Sequence, residues 1–239
     1  MPIRPSQHPF DALVQREECE IRLAEAALLF AIDHCEDLKI APWLNRLDDL
    51  VRRVDAREAR TPTEQIDALR VVLVDEEHFA GNTANYYNPR NSFLNEVLEQ
   101  RTGIPIALSV VWLDICQQLG WPFVGVGLPG HFIIKRTRSN GETLIDPFGN
   151  GRTLQRADCE RIVTDIYGHL VQLRDKHFEA STKKAILIRM LNNLRPMYLD
   201  RQAWHNGAYV LARLLAFEPN SVELQRELAM ANANLAKLN

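Results

Sequence analysis

Cysteine is scarce in this chain, and the four present, Cys19, Cys35, Cys116 and Cys159, stand far apart with no CxxC pair. That spacing argues against a disulfide framework and against a thiolate zinc site, and it favours buried free thiols. No run reaches the roughly 18 apolar residues that a membrane helix needs. The segment Met1 to Phe10 is polar and contains proline, without the apolar stretch of a secretory signal. A reducing cytoplasm and no membrane partner are therefore expected. Basic charge is not in excess either: 28 Lys and Arg face 31 Asp and Glu, for a net charge of -3 and a pI near 6.2. A general electrostatic grip on nucleic acid normally needs a clustered basic face, so no nucleic-acid partner is expected. His34, His78, His169, His177 and His205 have no histidine or cysteine at i+3 or i+4 that would suggest zinc, so neither a metal nor a cofactor is expected.

What is present is an ordinary globular composition, 46% apolar and 25% charged over 239 residues, enough for one large domain or two modest ones. From Asp11 to Cys35 apolar residues recur at helical spacing and predict one amphipathic helix. Ala41-Pro42-Trp43 begins a second, with Leu44, Leu47, Leu50, Val51 and Val54 on one face. Thr61-Pro62-Thr63-Glu64 opens a third, with proline in the first turn, where its missing N–H costs nothing. Gly81 to Arg90 is a polar loop with two tyrosines, followed by a short helix through Leu94, Val97 and Leu98 that Asn91-Ser92 would cap.

Gly103 to Leu119 leaves almost no polar face, and a helix apolar all round must be buried. Phe123 to Gly127, His131 to Lys135 and Thr143 to Asp146 read as strands of a small antiparallel sheet. Arg156 to Tyr167 is helical, and from Thr182 the pattern is helical to the end.

Four ordered motifs, Asn91-Ser92-Phe93-Leu94, Arg101-Thr102-Gly103-Ile104-Pro105-Ile106, Leu128-Pro129-Gly130-His131-Phe132 and Ile145-Asp146-Pro147-Phe148-Gly149, resemble those of the SirB-type transglutaminase-like proteins. The resemblance is strongest from Thr61 to Leu154. It implies an α+β fold: a papain/transglutaminase-like core of buried helix plus small antiparallel sheet, flanked by N-terminal helices and a C-terminal helical arm. The expected boundaries are 1–60 for the N-terminal helical region, 61–180 for the core and 181–239 for the arm.

Active members of the wider superfamily place a cysteine at the start of the buried helix and a histidine and an aspartate on adjacent strands. A helix N-terminus lowers the thiol's pKa, the imidazole takes its proton, and the carboxylate fixes the tautomer. Carried over by position, the histidine is His131 and the aspartate Asp146, but the nucleophile slot holds Pro105, which has no side-chain nucleophile. Ser109 lies one turn deeper on the same helix, about 6 Å along the axis, and Cys116 about 16 Å along it. Asn91, Pro105, Ser109 and Gly130 are the candidate binding residues beside His131 and Asp146. Taken singly, Gly103-Ile104-Pro105 is a sound helix start, and Asp146-Pro147 a turn signal.

Register offers a test. A wide loop centred between Arg138 and Ser139 would set His131 opposite Asp146, whereas a tight Asn140-Gly141 turn would displace them by four residues, roughly 13 Å.

In the arm, Leu191, Leu194, Tyr198, Gly207, Leu211, Leu214 and Pro219 follow a tetratricopeptide-like spacing, with Pro196 as a departure inside the first helix. One repeat cannot make a solenoid, so the arm must dock on other helices. Two functions follow: a non-catalytic, Cys-less protein that binds an unknown protein or peptide as a regulatory scaffold, or a hydrolase using His131 and Asp146 with water or Ser109 as nucleophile.

Overall fold

The computed structural model describes residues 8–35, 37–138 and 141–238. In chain order its elements are helices α1 (Pro9–Val14), α2 (Leu23–Ala31), α3 (Ala41–Asp55) and α4 (Pro62–Arg70), strand β1 (Ala80–Gly81), α5 (Leu94–Gln100), β2 (Thr102–Gly103), α6 (Pro105–Gln118), strands β3 (Phe123–Leu128), β4 (His131–Arg138), β5 (Gly141–Asp146) and β6 (Arg152–Leu154), and helices α7 (Arg156–Tyr167), α8 (Lys183–Leu199), α9 (Trp204–Leu215) and α10 (Val222–Leu238). The chain forms two compact units, Met1–Ile40 with Lys183–Asn239, and Ala41–Thr182. The line expected at residue 180 lies two residues before the division at Thr182, and the one expected at residue 60 lies inside the second unit. Helix α3 groups with the second unit because its buried face, Leu47, Leu50 and Val54, packs within it against α6.

In the first unit the expected helix from Asp11 to Cys35 is broken. Between Gln15 and Glu20 the sequence offers no apolar residue but Cys19, so the helical period lapses, and a 3₁₀ turn at Glu18–Glu20 fills the gap. Helix α2 is not amphipathic: every residue of it except Glu25 is buried. The unit also encloses charge. Arg213 on α9, only 4% exposed, donates to Asp11 at 2.6 Å and lies 3.1 Å from Asp33, while His8 sits 3.7 Å from Asp33. Burial, helped by Arg213, pushes His8 down to about 4, and burial lifts Asp33 to about 6 against the pull of Arg213. His34, stacked on Tyr198 at 5.4 Å, is likewise pushed down to about 4 by burial and then by His205 and Arg213.

The signs give a prediction. A histidine with a depressed folded pKa contributes stability at neutral pH that is lost as pH falls from about 6.5 to about 4, because only the unfolded chain takes up the proton in that window. Asp33 works the other way between about 4 and about 6, so two groups oppose one. The melting temperature is expected to fall as pH drops from about 6.5 to about 4. His34→Phe, which keeps a ring on Tyr198, should flatten that slope by about one proton in thermal melts across the range.

In the second unit, α4 opens as its sequence predicts: Thr61 Oγ1 accepts from the Glu64 amide at 3.3 Å and Glu64 accepts from the Thr61 amide at 2.8 Å. The expected cap at Asn91-Ser92 is displaced. Asn88 caps a 3₁₀ turn at Pro89–Ser92 by accepting from the Arg90 amide at 3.1 Å, and Phe93 is the residue preceding α5. Strands β1 and β2 pair in parallel, setting Gly81 beside Gly103, two residues before α6 begins. The other four strands form an antiparallel sheet in the order β3-β4-β5-β6.

Between β3 and β4 the chain turns through Pro129 and Gly130, with Leu128 paired to His131. Gly130 has φ +68°, the left-handed geometry that a turn with proline at its second position asks of its third. One face of the sheet, through Val126, Leu128, Ile133 and Leu144, packs on Cys159 and Val163 of α7 with Leu173 and Phe178. On the other face Arg136 reaches Gln65 of α4 at 3.0 Å.

Candidate functional site around His131 and Asp146

His131 opens β4 and Asp146 closes β5. The β4–β5 ladder pairs Ile134 with Ile145 and Arg138 with Gly141, so extending it would set Asp146 against Ile133 and His131 against Phe148. Neither expected register applies: the offset between His131 and Asp146 is two residues, not zero or four. The expected loop centre at Arg138 and Ser139 and the expected Asn140-Gly141 turn rest on Ser139 and Asn140, which lie outside the described residues. An offset of two keeps both side chains on one face as diagonal neighbours, within reach of long side chains. His131 Nε2 and Asp146 Oδ1 are 3.0 Å apart, and the two residues are 5% and 1% exposed.

Burial alone would raise the Asp146 carboxyl. The hydrogen bond and charge of His131, the Gly149 amide and Arg152, 3.5 Å away, outweigh it and hold the group below the usual carboxylate range. An ionised Asp146 only accepts, so His131 Nε2 carries the shared hydrogen. Gly149 makes the arrangement possible, because a Cβ there would meet Asp146 Oδ2 at 2.5 Å. Gly151, at φ +70°, passes the buried Trp112 of α6 so closely that a Cβ would lie 2.6 Å from its ring. The second glycine thus seats the Asp146 loop on α6.

Strand alternation places His131 with Ile133, and Asp146 with Leu144, on the α7 side of the sheet. The link to the start of α6 runs through aromatic contacts. Phe148 stands edge-on to His131 at 5.9 Å and packs against Gly81, where a Cβ would meet its ring at 2.6 Å; Gly81 pairs with Gly103. Tyr86 stacks edge-on to Phe148 at 6.1 Å, and Tyr87 to Tyr86 at 5.3 Å.

Asn91 is engaged within the fold. It is 4% exposed, its amide donates to the carbonyls of Asn85 at 2.7 Å and Tyr86 at 3.1 Å, and its oxygen accepts from Asn82 at 2.9 Å. Its own carbonyl accepts from Ile104, so one residue ties the tyrosine loop to the start of α6. Pro105 is buried at the first position of that helix. Ser109 is fully buried and donates its hydroxyl to the Pro105 carbonyl at 2.8 Å. Burial pushes the Cys116 thiol well up, and burial together with Asp146 and Asp158 lifts Cys159 to about 12. Gly130 is exposed, and a Cβ on it would lie 2.9 Å from Ile166.

Sequence reasoning placed Phe148 and Gly149 in a motif without giving either a role, and did not single out Gly151, Ile166, Tyr167 or Leu170. Only the doubled glycines after Asp146 and the paired tyrosines carried a signal. Among the described residues no group of three or more His, Cys, Asp or Glu is placed to hold a metal, and no helix is long and apolar enough to cross a membrane.

The transglutaminase-like superfamily pattern matches residues 41–192. The chain belongs to that superfamily. A UPF0162 protein of Xylella fastidiosa (strain 9a5c) is 31% identical over 235 residues, spanning 95% of this chain and 82% of its own length. A UPF0162 protein of Pseudomonas aeruginosa is 30% identical over 196 residues, 81% of this chain and 70% of that one. Human F-box only protein 21 is 33% identical over 180 residues, covering 70% of this transglutaminase-like chain but 27% of the larger protein. No solved structure matches it.

Proposed function

We propose that this transglutaminase-like chain is a Cys-less pseudoenzyme that binds a peptide or protein partner beside the His131–Asp146 pair, as a cytoplasmic regulatory scaffold. The observation that carries the reading is where the second unit leaves large apolar side chains in water. Among its described residues these are Tyr87, 70% exposed, Ile166, Tyr167 and Leu170, 86% exposed. Three of them flank the pair, Tyr87 through Tyr86 and Phe148, and Ile166 and Tyr167 across the Gly130 turn; Leu170 follows Tyr167 by three residues in the chain. Clustered exposed apolar groups mark interaction surfaces.

The absence of acyl transfer rests on Pro105, on the two buried thiols raised away from ionisation, and on Ser109, whose proton is already given to a carbonyl. The same occupancy of the Ser109 hydroxyl argues against the hydrolase alternative with a serine nucleophile. The tetratricopeptide-like reading of α8 to α10 is supported by Gly207, where a Cβ would stand 3.0 Å from Leu199, as small residues do at close helix contacts. The four ordered motifs support the SirB-type assignment.

Peptide display on the purified chain tests the binding reading. Selected peptides are expected to carry apolar anchors and to bind at least about tenfold more weakly to Tyr87→Asp and Leu170→Asp chains. Met230→Asp, an exposed apolar position in the other unit, should leave them unchanged. Equal loss in all three variants would contradict the reading.

A further inference from the structure

A hollow of about 210 Å³ lies on the second unit between the tyrosine loop and α5, and no apolar side chain lines it. Its wall is Asn82 and Asn91, locked to each other, with Asn88, Gln100 and Thr102 around the rim. Arg90 and Glu96 complete it, one of each charge. The volume corresponds to about seven waters at about 30 Å³ each, the size of a small metabolite.

The hydrogen-bonding capacity left over defines the guest. Both Asn91 N–H groups are spent on loop carbonyls, so Asn91 is wall and not ligand. Asn88 uses its oxygen on the Arg90 amide, while among the described residues its NH2 group has no partner; the Gln100 amide and Thr102 hydroxyl have none either. Arg90 Nε stands 3.7 Å from Glu96 Oε2, wider than the roughly 2.7–2.9 Å of a hydrogen-bonded ion pair. The two charges face one hollow as a loose ion pair, with the Arg90 side chain 72% exposed. A phosphate or a dicarboxylate would meet Glu96, and a simple amine would meet Arg90.

We infer that this hollow binds a free α-amino acid with a small polar side chain. Its carboxylate takes Arg90 and the Asn88 NH2 group, its ammonium takes Glu96 and the Thr102 hydroxyl, and its side chain lies towards Asn82 and Gln100. The site uses none of the side chains of the apolar surface around His131, so its test is independent of that reading.

The test is a titration of the purified chain with L-serine and L-asparagine, followed by the side-chain amide NMR signals of Asn88 and Gln100. Ethanolamine and glycerate, each lacking one of serine's two charges, are the controls. Saturable shifts are expected with the amino acids. Binding should be at least about tenfold weaker for both controls, and for Arg90→Gln and Glu96→Gln chains whose circular dichroism matches the parent. The inference is overturned if neither amino acid produces a saturable shift, if ethanolamine or glycerate binds equally well, or if binding survives both substitutions.

Discussion

A Pro105→Cys chain is expected to carry a thiol that ionises well below the ordinary range, opposite in direction to the buried Cys116 and Cys159. Position 105 is the first of α6, whose opening turn no side chain caps among the described residues. Unpaired amides there favour a thiolate, as at other helix N-termini. The nearest route to a proton acceptor is short: Gly103 pairs with Gly81, Gly81 packs on Phe148, and Phe148 on His131. Thiolate absorbance in the ultraviolet reports ionisation whether or not a reagent can reach the group. At pH 7 the introduced thiol should show about tenfold or more of the thiolate fraction of an ordinary cysteine, read as the difference from the parent chain. His131→Ala in the same chain should raise its pKa again. A thiol that titrates above the ordinary range would mean that the slot is a plain buried position and that the dyad does not serve it.

Gly151→Ala is expected to produce the largest loss of stability among the glycine changes. Two costs combine there. The left-handed φ of +70° penalises any Cβ by about 1–2 kcal/mol. The Cβ would also sit 2.6 Å from Trp112 Cη2, on an indole that is 1% exposed and has nowhere to go. A total of about 2–4 kcal/mol follows, or a melting temperature lower by roughly 5–15 °C. Gly120 and Gly168 separate the two costs, since both have the same sign of φ, +66° and +69°, and a Cβ added at either would meet nothing within 4 Å. Alanine at either should cost only the backbone share. If all three substitutions cost the same, the contact between the Asp146 loop and Trp112 has no energetic weight.

Much of the second unit was legible because each element announced itself locally. The capping box at Thr61, the all-apolar run that became α6 and the β-rich segments flanking Pro129-Gly130 each need only near neighbours to specify them. The pairing of His131 with Asp146 was legible only through the family motifs. Strand register, which sets their offset at two, is fixed by the β4–β5 ladder and accompanied by Phe148 packing against Gly81, a contact distant in sequence. The exposed side chains of α7 were unreadable for a different reason: Ile166 and Tyr167 fit a helical pattern equally well facing core or solvent. In the first unit, the reading from Asp11 to Cys35 failed where a polar stretch too short to look like a loop still sufficed to break the helix. Asn91 was marked as a binding residue because it sits in a motif, yet its amide is consumed in holding the tyrosine loop. A motif marks a constrained position without saying whether the constraint is contact with a ligand or support for a backbone.

The central claim is that an intact His–Asp pair stands in this transglutaminase-like chain without a nucleophile. Its most direct test is turnover of ester, peptide-amide and isopeptide libraries by the purified chain, measured against His131→Ala. The account predicts no turnover above that of the variant for any substrate, while turnover that disappears with His131 would contradict it.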